Sequence, residues 1–157
     1  MTVRRATPQD LERINDLLYQ VATIHADGRP DIFKPATKKY SDDELTKIIL
    51  DDNTPIFVAA DDSGYVFGYA FCVFQCVKDN ILLQDKKTLY IDDICVDEKS
   101  RGNNIGKSLY DYVVCFAKEN GFDNITLNVW AFNEGAYKFY EKCGMKPLKT
   151  TMEKSLK

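Results

Sequence analysis

The chain has 157 residues, of which 45% are hydrophobic and 29% charged, which is typical of one globular domain spanning residues 1–157. With 21 lysine and arginine residues against 24 aspartate and glutamate residues, its net charge of -3 disfavours nucleic acid and anionic membranes as partners. The single histidine, His25, excludes metal sites and catalytic mechanisms that require two imidazole groups, so we expect no metal.

The cysteines indicate a reducing compartment. There are 5 of them, never spaced C-x-x-C and mostly set among apolar neighbours, as expected for reduced core residues. The amino-terminal residues lack the apolar stretch of a signal peptide, and no later run approaches the ~18 apolar residues that a membrane span needs. We therefore expect a cytoplasmic protein.

Capping signals and the spacing of apolar residues predict an alternation of strands and helices. The first half contains a strand at 2–5, a helix that starts at 7–10 and stops at 26–28, a loop to residue 40 and a helix opened by the capping box at 41–44. Strands follow at 55–60, 65–77 and 88–96. The last part contains a helix from 105 to the stop signal at 120–121, a strand at 124–130, a short helix capped by Asn133 and closed by Gly144, and a weak strand in the tail at 145–156. This order indicates an α/β fold with a mixed sheet flanked by helices.

The segment after the strand at 88–96 is the most informative part of the chain. It is a small, polar loop that leads into a helix, and Gly102 and Gly106 would let a ligand approach the backbone closely. Unpaired amide groups at the helix start, the helix dipole and the charges of Arg101 and Lys107 favour an anion there. Two isolated glycines before a helix are equally consistent with a simple turn. The loop matches neither a P-loop nor the G-x-G-x-x-G fingerprint.

Two motifs give the chain a family resemblance. Residues 96–106, VDEKSRGNNIG, resemble the R-x-x-G-x-G/A segment of the GNAT acetyltransferases, and residues 128–145 resemble the N-x-x-A-x-x-F-Y-x-x-x-G-F block of that family. Both motifs fall in the family's order on the predicted elements. Asn104 stands where the family most often has its first motif glycine, and asparagine tolerates left-handed backbone better than other non-glycine residues.

The resemblance implies a single-domain GNAT-like fold, with a mixed, mostly antiparallel central sheet flanked by about four helices. It also implies acetyl-CoA as cosubstrate, with the pyrophosphate on the amides of residues 101–107 and the pantetheine arm along residues 94–96. The implied cofactor-binding residues are Ile94, Cys95, Val96, Arg101, Gly102, Asn103, Asn104, Ile105, Gly106, Lys107 and Asn133.

The resemblance further implies how acetyl would be transferred. Direct attack of an amine on the thioester needs no metal and no protein nucleophile, only a proton acceptor for the amine and a proton donor for the thiolate. Tyr140 matches the family's general acid beside the cofactor sulfur. The competing interpretation is that Tyr140 is a packed aromatic residue, because Phe139 and Tyr137 flank it.

The proton acceptor is open between Asp92, His25 and a chain of water. Asp92 and Asp93 are adjacent acids in an otherwise apolar strand, whose alternation would put Tyr90, Asp92 and Ile94 on one face. Polyamine acetyltransferases of the family have a carboxylate at the position that matches Asp92. Asp92 is therefore the favoured base, with a structural or substrate-orienting role as the alternative.

The resemblance places the acceptor site beside the loop that follows the first helix. Its candidate residues are His25, Phe33, Tyr90 and Asn128. Tyr90 matches a tyrosine of some N-terminal acetyltransferases, and Asn128 could orient a water molecule. His25 is equally consistent with an exposed imidazole at a helix end, and Asn128 with a side chain that satisfies backbone groups.

The predicted function is transfer of acetyl from acetyl-CoA to a primary amine: a small amine such as a polyamine or amino sugar, or a peptide N-terminus or lysine. Acidic residues near the cleft suit a cationic acceptor. The alternative is a non-catalytic CoA-binding sensor or interaction module, in which Tyr140 would be dispensable. The polar tail at residues 150–157 could pair across a homodimer.

Overall fold

The centre of the molecule is a sheet whose strands lie in the order in which they occur along the chain. The computed structural model of the protein describes residues 1–35 and 37–157; residue 36, in the predicted loop before residue 40, lies outside this description. Within the described residues the sheet is 5-stranded. Its strands are β1 (Thr2–Arg5), β2 (Ile56–Ala60), β3 (Val66–Val77), β4 (Lys86–Val96) and β5 (Asn124–Leu127).

The pairing of the strands makes the sheet mixed and mostly antiparallel. Strands β1 to β4 pair with their neighbours in antiparallel fashion, whereas β5 pairs with β4 in parallel. The helices of the described chain are α1 (Leu11–Gly28), which follows a 3-10 turn at Pro8–Asp10, α2 (Asp42–Leu50), α3 (Ile105–Glu119) and α4 (Glu134–Lys142). The predicted fold class is confirmed.

The helices begin where local capping groups are satisfied. At the start of α2, the Glu44 amide donates to Ser41 Oγ at 3.2 Å, and the Ser41 amide donates to the Glu44 carboxylate at 2.8 Å. At the start of α4, the Ala136 amide donates to Asn133 Oδ1 at 3.1 Å. These short-range hydrogen bonds explain why the sequence predicts both helix starts correctly.

Two apolar clusters cover the two faces of the sheet. Helices α1 and α2 pack on one face, with Leu17 and Leu45 completely buried there. Helix α3 packs on the other face through Leu109 and Val113, and α4 adds partly buried aromatic rings to that side. Successive residues of β2 alternate between the two clusters, so this strand is buried on both faces, as its uninterrupted apolar sequence predicts.

A β-bulge interrupts the alternation of β4. Phe71 pairs with Asp93 and the next residue, Cys72, pairs with Ile91, so Asp92 is the extra residue. Ile91 and Ile94 consequently pack on the same α3 face of the sheet. The expectation that Tyr90, Asp92 and Ile94 share a face is therefore wrong, because the bulge turns Ile94 to the side opposite Tyr90.

The C-terminal part of the chain also departs from prediction. Strand β5 ends at Leu127, before residue 130, and the described tail at residues 145–157 contains no strand. Leu148, Met152 and Leu156 are all exposed in this tail. Met145 packs on the α3-side cluster, but a strand through the rest of the tail would bury no apolar face, and Glu153 instead forms an ion pair with Arg29 at 2.9 Å.

Candidate active site

A cleft opens where β4 and β5 separate. Their parallel pairing runs from Thr88 and Asn124 to Ile91 and Leu127, while β4 continues to Val96. Among the described residues, no strand pairs with this edge of β4 at residues 92–96. The backbone groups there are available to an extended ligand, which pairs with a strand edge through its own amide groups.

The predicted pantetheine contacts lie on this free edge and differ in where their side chains point. Cys95 is buried towards α1, where its Sγ lies 3.7 Å from the carbonyl oxygen of Leu17. Ile94 and Val96 are partly buried against the α3 side. Only the backbone of Cys95 is therefore placed to contact a ligand, whereas Ile94 and Val96 also present apolar side chains.

The loop between β4 and α3 forms a cradle of amide groups. Ser108 is the first residue of α3 whose amide is bonded to a backbone carbonyl, that of Asn104, at 3.0 Å. The amides of residues 101–107 donate no hydrogen bond to any residue that the structure describes. No acidic side chain occupies the first turn of α3. A helix N-terminus with free amides and no acid of its own suits a bound phosphate.

A cavity of about 240 Å³ opens onto this cradle. Gly106 faces this cavity, where a Cβ would make ordinary van der Waals contacts of 3.6 Å with Val96 and Phe139. The lining residues are Val96, Arg101, Gly102, Asn104, Ile105, Gly106, Lys107 and Phe139. Free amides, two cationic side chains and an apolar wall fit the pyrophosphate and adjoining arm of acetyl-CoA.

Asn103 and Asn133 lie apart from the lining of this cavity. The side-chain amide of Asn103 donates to the carbonyl oxygen of Ser100 at 3.0 Å, which closes the loop. Asn103 lines a second cavity, of about 330 Å³, on the side of Met1 and Phe67. Asn133 is the N-cap of α4. The structure gives both asparagines a role in shaping the loops around the cradle.

Asn104 adopts the left-handed conformation that its place in the motif requires, with φ of 58° and ψ of 15°. We expect Asn104→Ala to lower the free energy of unfolding by about 1 kcal/mol, because alanine is strained in this region. Chemical denaturation measures this difference. Asn104→Gly is the matched control, since glycine adopts the same φ freely. Equal stability of the alanine and glycine variants would contradict the assignment of strain.

Asp97 anchors the loop, a role that the motif search did not reveal. Its side chain is 4% exposed and accepts hydrogen bonds from Arg13 and, at 3.2 Å, from Gln20, both on α1. Burial opposes ionisation, but the Gln20 hydrogen bond and the Arg13 charge outweigh it and lower the pKa of Asp97. A charged residue at the end of a buried strand was the available sequence signal.

Asp93 is the most strongly perturbed acid of the cleft. Its Oδ2 accepts a hydrogen bond of 2.6 Å from the hydroxyl of Tyr69, a completely buried residue. Burial raises the pKa of Asp93 to about 6, although the Tyr69 hydrogen bond and the charge of Lys39 act in the opposite direction. A carboxylate with this pKa is a stronger proton acceptor than an ordinary aspartate.

Asp92, the favoured base from the sequence, has a different environment. Its side chain is 38% exposed, and its Oδ2 lies 3.7 Å from Nζ of Lys39. The bulge thus gives the two acids different surroundings, with Asp92 in an ion pair at the cleft mouth and Asp93 hydrogen-bonded to the buried Tyr69.

Tyr140 lies on α4 within an aromatic group on the α3 side of the sheet. Its ring centroid is 5.1 Å from that of Phe139 and 6.4 Å from that of Tyr110. Burial raises the pKa of Tyr140, and the negative charge of Asp93 adds to this effect. The phenol therefore stays protonated at neutral pH, in the form that can donate a proton.

The predicted acceptor-site residues form two contacts. His25 stacks on Phe33 with ring centroids 5.0 Å apart, and Nδ2 of Asn128 donates to the hydroxyl of Tyr90 at 3.2 Å. Burial, followed by the charge of Lys39, lowers the pKa of His25. The imidazole is thus neutral at pH 7 and part of an aromatic wall.

Two further aromatic residues that the sequence analysis did not assign complete this wall. The ring centroid of Trp130 lies 5.2 Å from that of Phe33 and 6.2 Å from that of Phe132. Phe132 packs directly on Gly28, where a Cβ would come within 2.3 Å of the ring. The missing side chain of Gly28 therefore lets the loop after β5 close against the end of α1.

Two kinds of feature are absent from the described residues, a metal-binding cluster and a membrane-spanning helix. No group of three or more histidine, cysteine, aspartate or glutamate residues within them could hold a metal ion. Likewise, none of the described helices has the length and apolar character needed to cross a bilayer.

Comparisons with known proteins agree with this geometry. The sequence profile of the Acetyltransferase (GNAT) family matches residues 18–145. N-acetyltransferase 8F1 of Mus musculus is 30% identical over 103 residues, covering 66% of this chain and 45% of that protein. The uncharacterized N-acetyltransferase MJ1207 of Methanocaldococcus jannaschii is 25% identical over 143 residues, covering 91% of this chain and 59% of that protein. The chain thus spans about half the length of these curated relatives.

Solved structures share the whole fold. The X-ray structure of a tetramutant of the BH1408 protein from Bacillus halodurans has a TM-score of 0.94 and 31% identity, and the match covers 99% of this chain and 100% of that one. Glucosamine-6-phosphate N-acetyltransferase from Arabidopsis thaliana has a TM-score of 0.71 and 21% identity, with 99% and 98% covered, and is similar in fold. The split sheet and its amide cradle define an acetyltransferase fold, and the chain belongs to the acetyltransferase (GNAT) family.

Proposed function

We propose that this protein is an N-acetyltransferase that moves the acetyl group of acetyl-CoA directly to a primary amine. The observation that carries the proposal is that the free edge of β4 at residues 92–96 runs from Asp93, whose charge acts on Tyr140, to the amide cradle. The family uses acetyl-CoA, which supplies the activated acyl group. Binding, orientation and proton movement fall to the chain.

The binding step uses backbone more than side chains. The amides of residues 101–107 would hold the pyrophosphate, with Arg101 and Lys107 adding positive charge at the rim. The edge at residues 92–96 would pair with the amide groups of the pantetheine arm. Because these groups are set by the fold, they need little rearrangement when the ligand binds.

Proton transfer is assigned to two side chains, one that accepts a proton and one that donates a proton. We assign Asp93 as the proton acceptor for the attacking amine, directly or through water, because its pKa of about 6 makes it a stronger base than an ordinary aspartate. Tyr140 is the proton donor to the departing thiolate, because its raised pKa keeps the phenol protonated. Asp92 then serves to attract and orient a cationic acceptor.

The acceptor is proposed to be a small cationic amine, such as a polyamine or amino sugar, or the amine of a peptide N-terminus or lysine. Asp92 provides the negative charge at the cleft mouth, and the wall of His25, Phe33 and Trp130 provides aromatic faces. Aromatic faces attract cations as well as apolar groups. Both features favour an alkylammonium group over an anion.

A panel of amines tests the proposal by following the release of the CoA thiol. We expect turnover with at least one member among polyamines, amino sugars and N-terminal or lysine peptides, and none with matched alcohols. Acetyl-CoA binding is measured in parallel by calorimetry. Tight binding without thiol release across the whole panel would contradict the proposal and identify a CoA-binding sensor instead.

We also propose a cytoplasmic location and a single domain over residues 1–157. All 5 cysteines are free thiols, and Cys72 and Cys95 are buried. Burial raises the pKa of both thiols to about 12, so they are unreactive core residues. Such cysteines are typical of a reducing compartment.

A further inference from the structure

The loop between α1 and α2 places a lysine amine inside the candidate acceptor site. Nζ of Lys39 lies 3.7 Å from Oδ2 of Asp92 and 5.2 Å from the ring centroid of Tyr40. The same ammonium group acts electrostatically on His25, Tyr90 and Asp93. Lys39 therefore pairs with Asp92, and its charge acts on three other groups assigned to the acceptor site or to proton transfer.

The neighbouring lysine provides a direct contrast. Nζ of Lys38 pairs with Asp42, in the first turn of α2, at 2.5 Å. Two adjacent lysines with similar exposure therefore have different surroundings, since only Lys39 contacts the acidic pair. Any chemistry specific to the cleft would distinguish them, whereas general reactivity towards an acyl donor would not.

We propose that Lys39 is an internal acceptor and that the protein acetylates its Nζ in the presence of acetyl-CoA. This inference rests on the proposed function. The Nζ–C bond forms as the thioester C–S bond breaks, without any change in oxidation state. The amine proton passes to Asp93, directly or through water, and the departing thiolate takes a proton from Tyr140, whose phenol is restored from solvent.

The ion pair also indicates what the modification would change. Acetyl-lysine carries no charge, so it would no longer pair with Asp92. The cleft mouth would then gain one net negative charge, which favours a cationic acceptor. Burial lowers the pKa of Lys39, but its contacts with Tyr40 and the charges of Asp92 and Asp93 outweigh burial and raise this pKa. The neutral amine is therefore scarce, and self-acetylation is slow compared with turnover of a good acceptor.

The experiment incubates the full chain with acetyl-CoA and maps acetyl groups by peptide fragmentation that separates Lys38 from Lys39. We expect acetyl-Lys39 to form about 10-fold or more faster than acetyl-Lys38, because a positioned amine reacts within the complex. The fraction of Lys39 acetylated per unit time should not depend on protein concentration, because the reaction takes place within one chain. Lys38→Arg should retain the modification, and Lys39→Arg should remove it from this segment.

Tyr140→Phe separates enzymatic from chemical acetylation. In this variant the rate of acetylation of Lys39 should fall about 10²-fold, while the slow acetylation of Lys38 stays the same. Asp93→Asn provides the same test if Tyr140→Phe does not fold. Equal labelling of both lysines, or labelling that neither variant slows, would overturn the inference. Thiol release with an external amine but no acetyl on Lys39 would overturn it and leave the proposed function intact, whereas the absence of both would overturn the two together.

Discussion

Asp93→Asn is expected to lower kcat/KM for acetyl transfer by about 10²- to 10⁴-fold, the usual contribution of a positioned acid or base. Asparagine keeps an oxygen that can accept the 2.6 Å hydrogen bond from Tyr69, so the cleft retains its shape. It cannot take a proton from the amine. Thiol release with the best amine of the panel, measured near pH 8, gives the rate.

Asp92→Asn is the matched control, since it removes the neighbouring carboxylate of the same strand. Asp92 is 38% exposed and ion-paired, so its loss should cost less than about 10-fold, mostly through the KM of a cationic acceptor. A larger loss in the Asp92 variant than in the Asp93 variant would reverse the assignment and restore Asp92 as the base.

Because the pKa of Asp93 is raised, activity should increase and stability should decrease as pH rises through this pKa. Burial raises its pKa from 3.8 to about 6, so activity should fall as pH drops below about 6 and the base becomes protonated. The folded chain binds this proton more tightly than the unfolded chain does. The bound proton therefore adds to the free energy of unfolding below pH 4, and this contribution is lost as pH rises through about 6. Above that range the loss amounts to about 3 kcal/mol.

Asp93→Asn should consequently unfold at higher denaturant concentration than the parent protein at pH 8, although its activity is lower. The difference in the free energy of unfolding should shrink towards pH 4, where the parent aspartate is also uncharged. A variant that is less stable at both pH values would show that Asp93 is not buried in its charged form.

Tyr140→Phe is the second change with a large expected effect. Turnover should fall about 10²-fold because the thiolate loses its proton donor. The Kd for acetyl-CoA should change little, since the ring still packs on Phe139 and Tyr110. Steady-state kinetics gives kcat, and calorimetry with acetyl-CoA gives Kd.

Tyr137 on the same helix is the control for this substitution. It is 42% exposed, so Tyr137→Phe should leave both kcat and Kd at the parent values. Unchanged turnover in Tyr140→Phe would mean that Tyr140 is only a packed aromatic residue. A parallel loss in both variants would indicate a general effect on α4 rather than loss of a proton donor.

Short-range signals accounted for most of the elements and for the cofactor loop. The capping box at residues 41–44, the N-cap Asn133 and the stop after Glu119 each act within about one helical turn, so they can be read along the chain. The left-handed conformation of Asn104 can also be read along the chain, because it depends on the backbone preference of asparagine itself.

The chemistry inside the cleft depends on pairing and packing between distant segments. The bulge at Asp92 exists only in the register of β4 against β3, and it overturned the expectation that Tyr90, Asp92 and Ile94 share one face. The Asp93 contact with Tyr69 and the Lys39 contact with Asp92 join residues far apart in the chain. Sequence could therefore name the family and the loop that forms the amide cradle, and it could single out Tyr140 as a candidate, because motifs and caps are local. Which of the two carboxylates is the more buried, and which lysine pairs with the other one, follows from tertiary packing alone, because burial and pKa are properties of the surroundings.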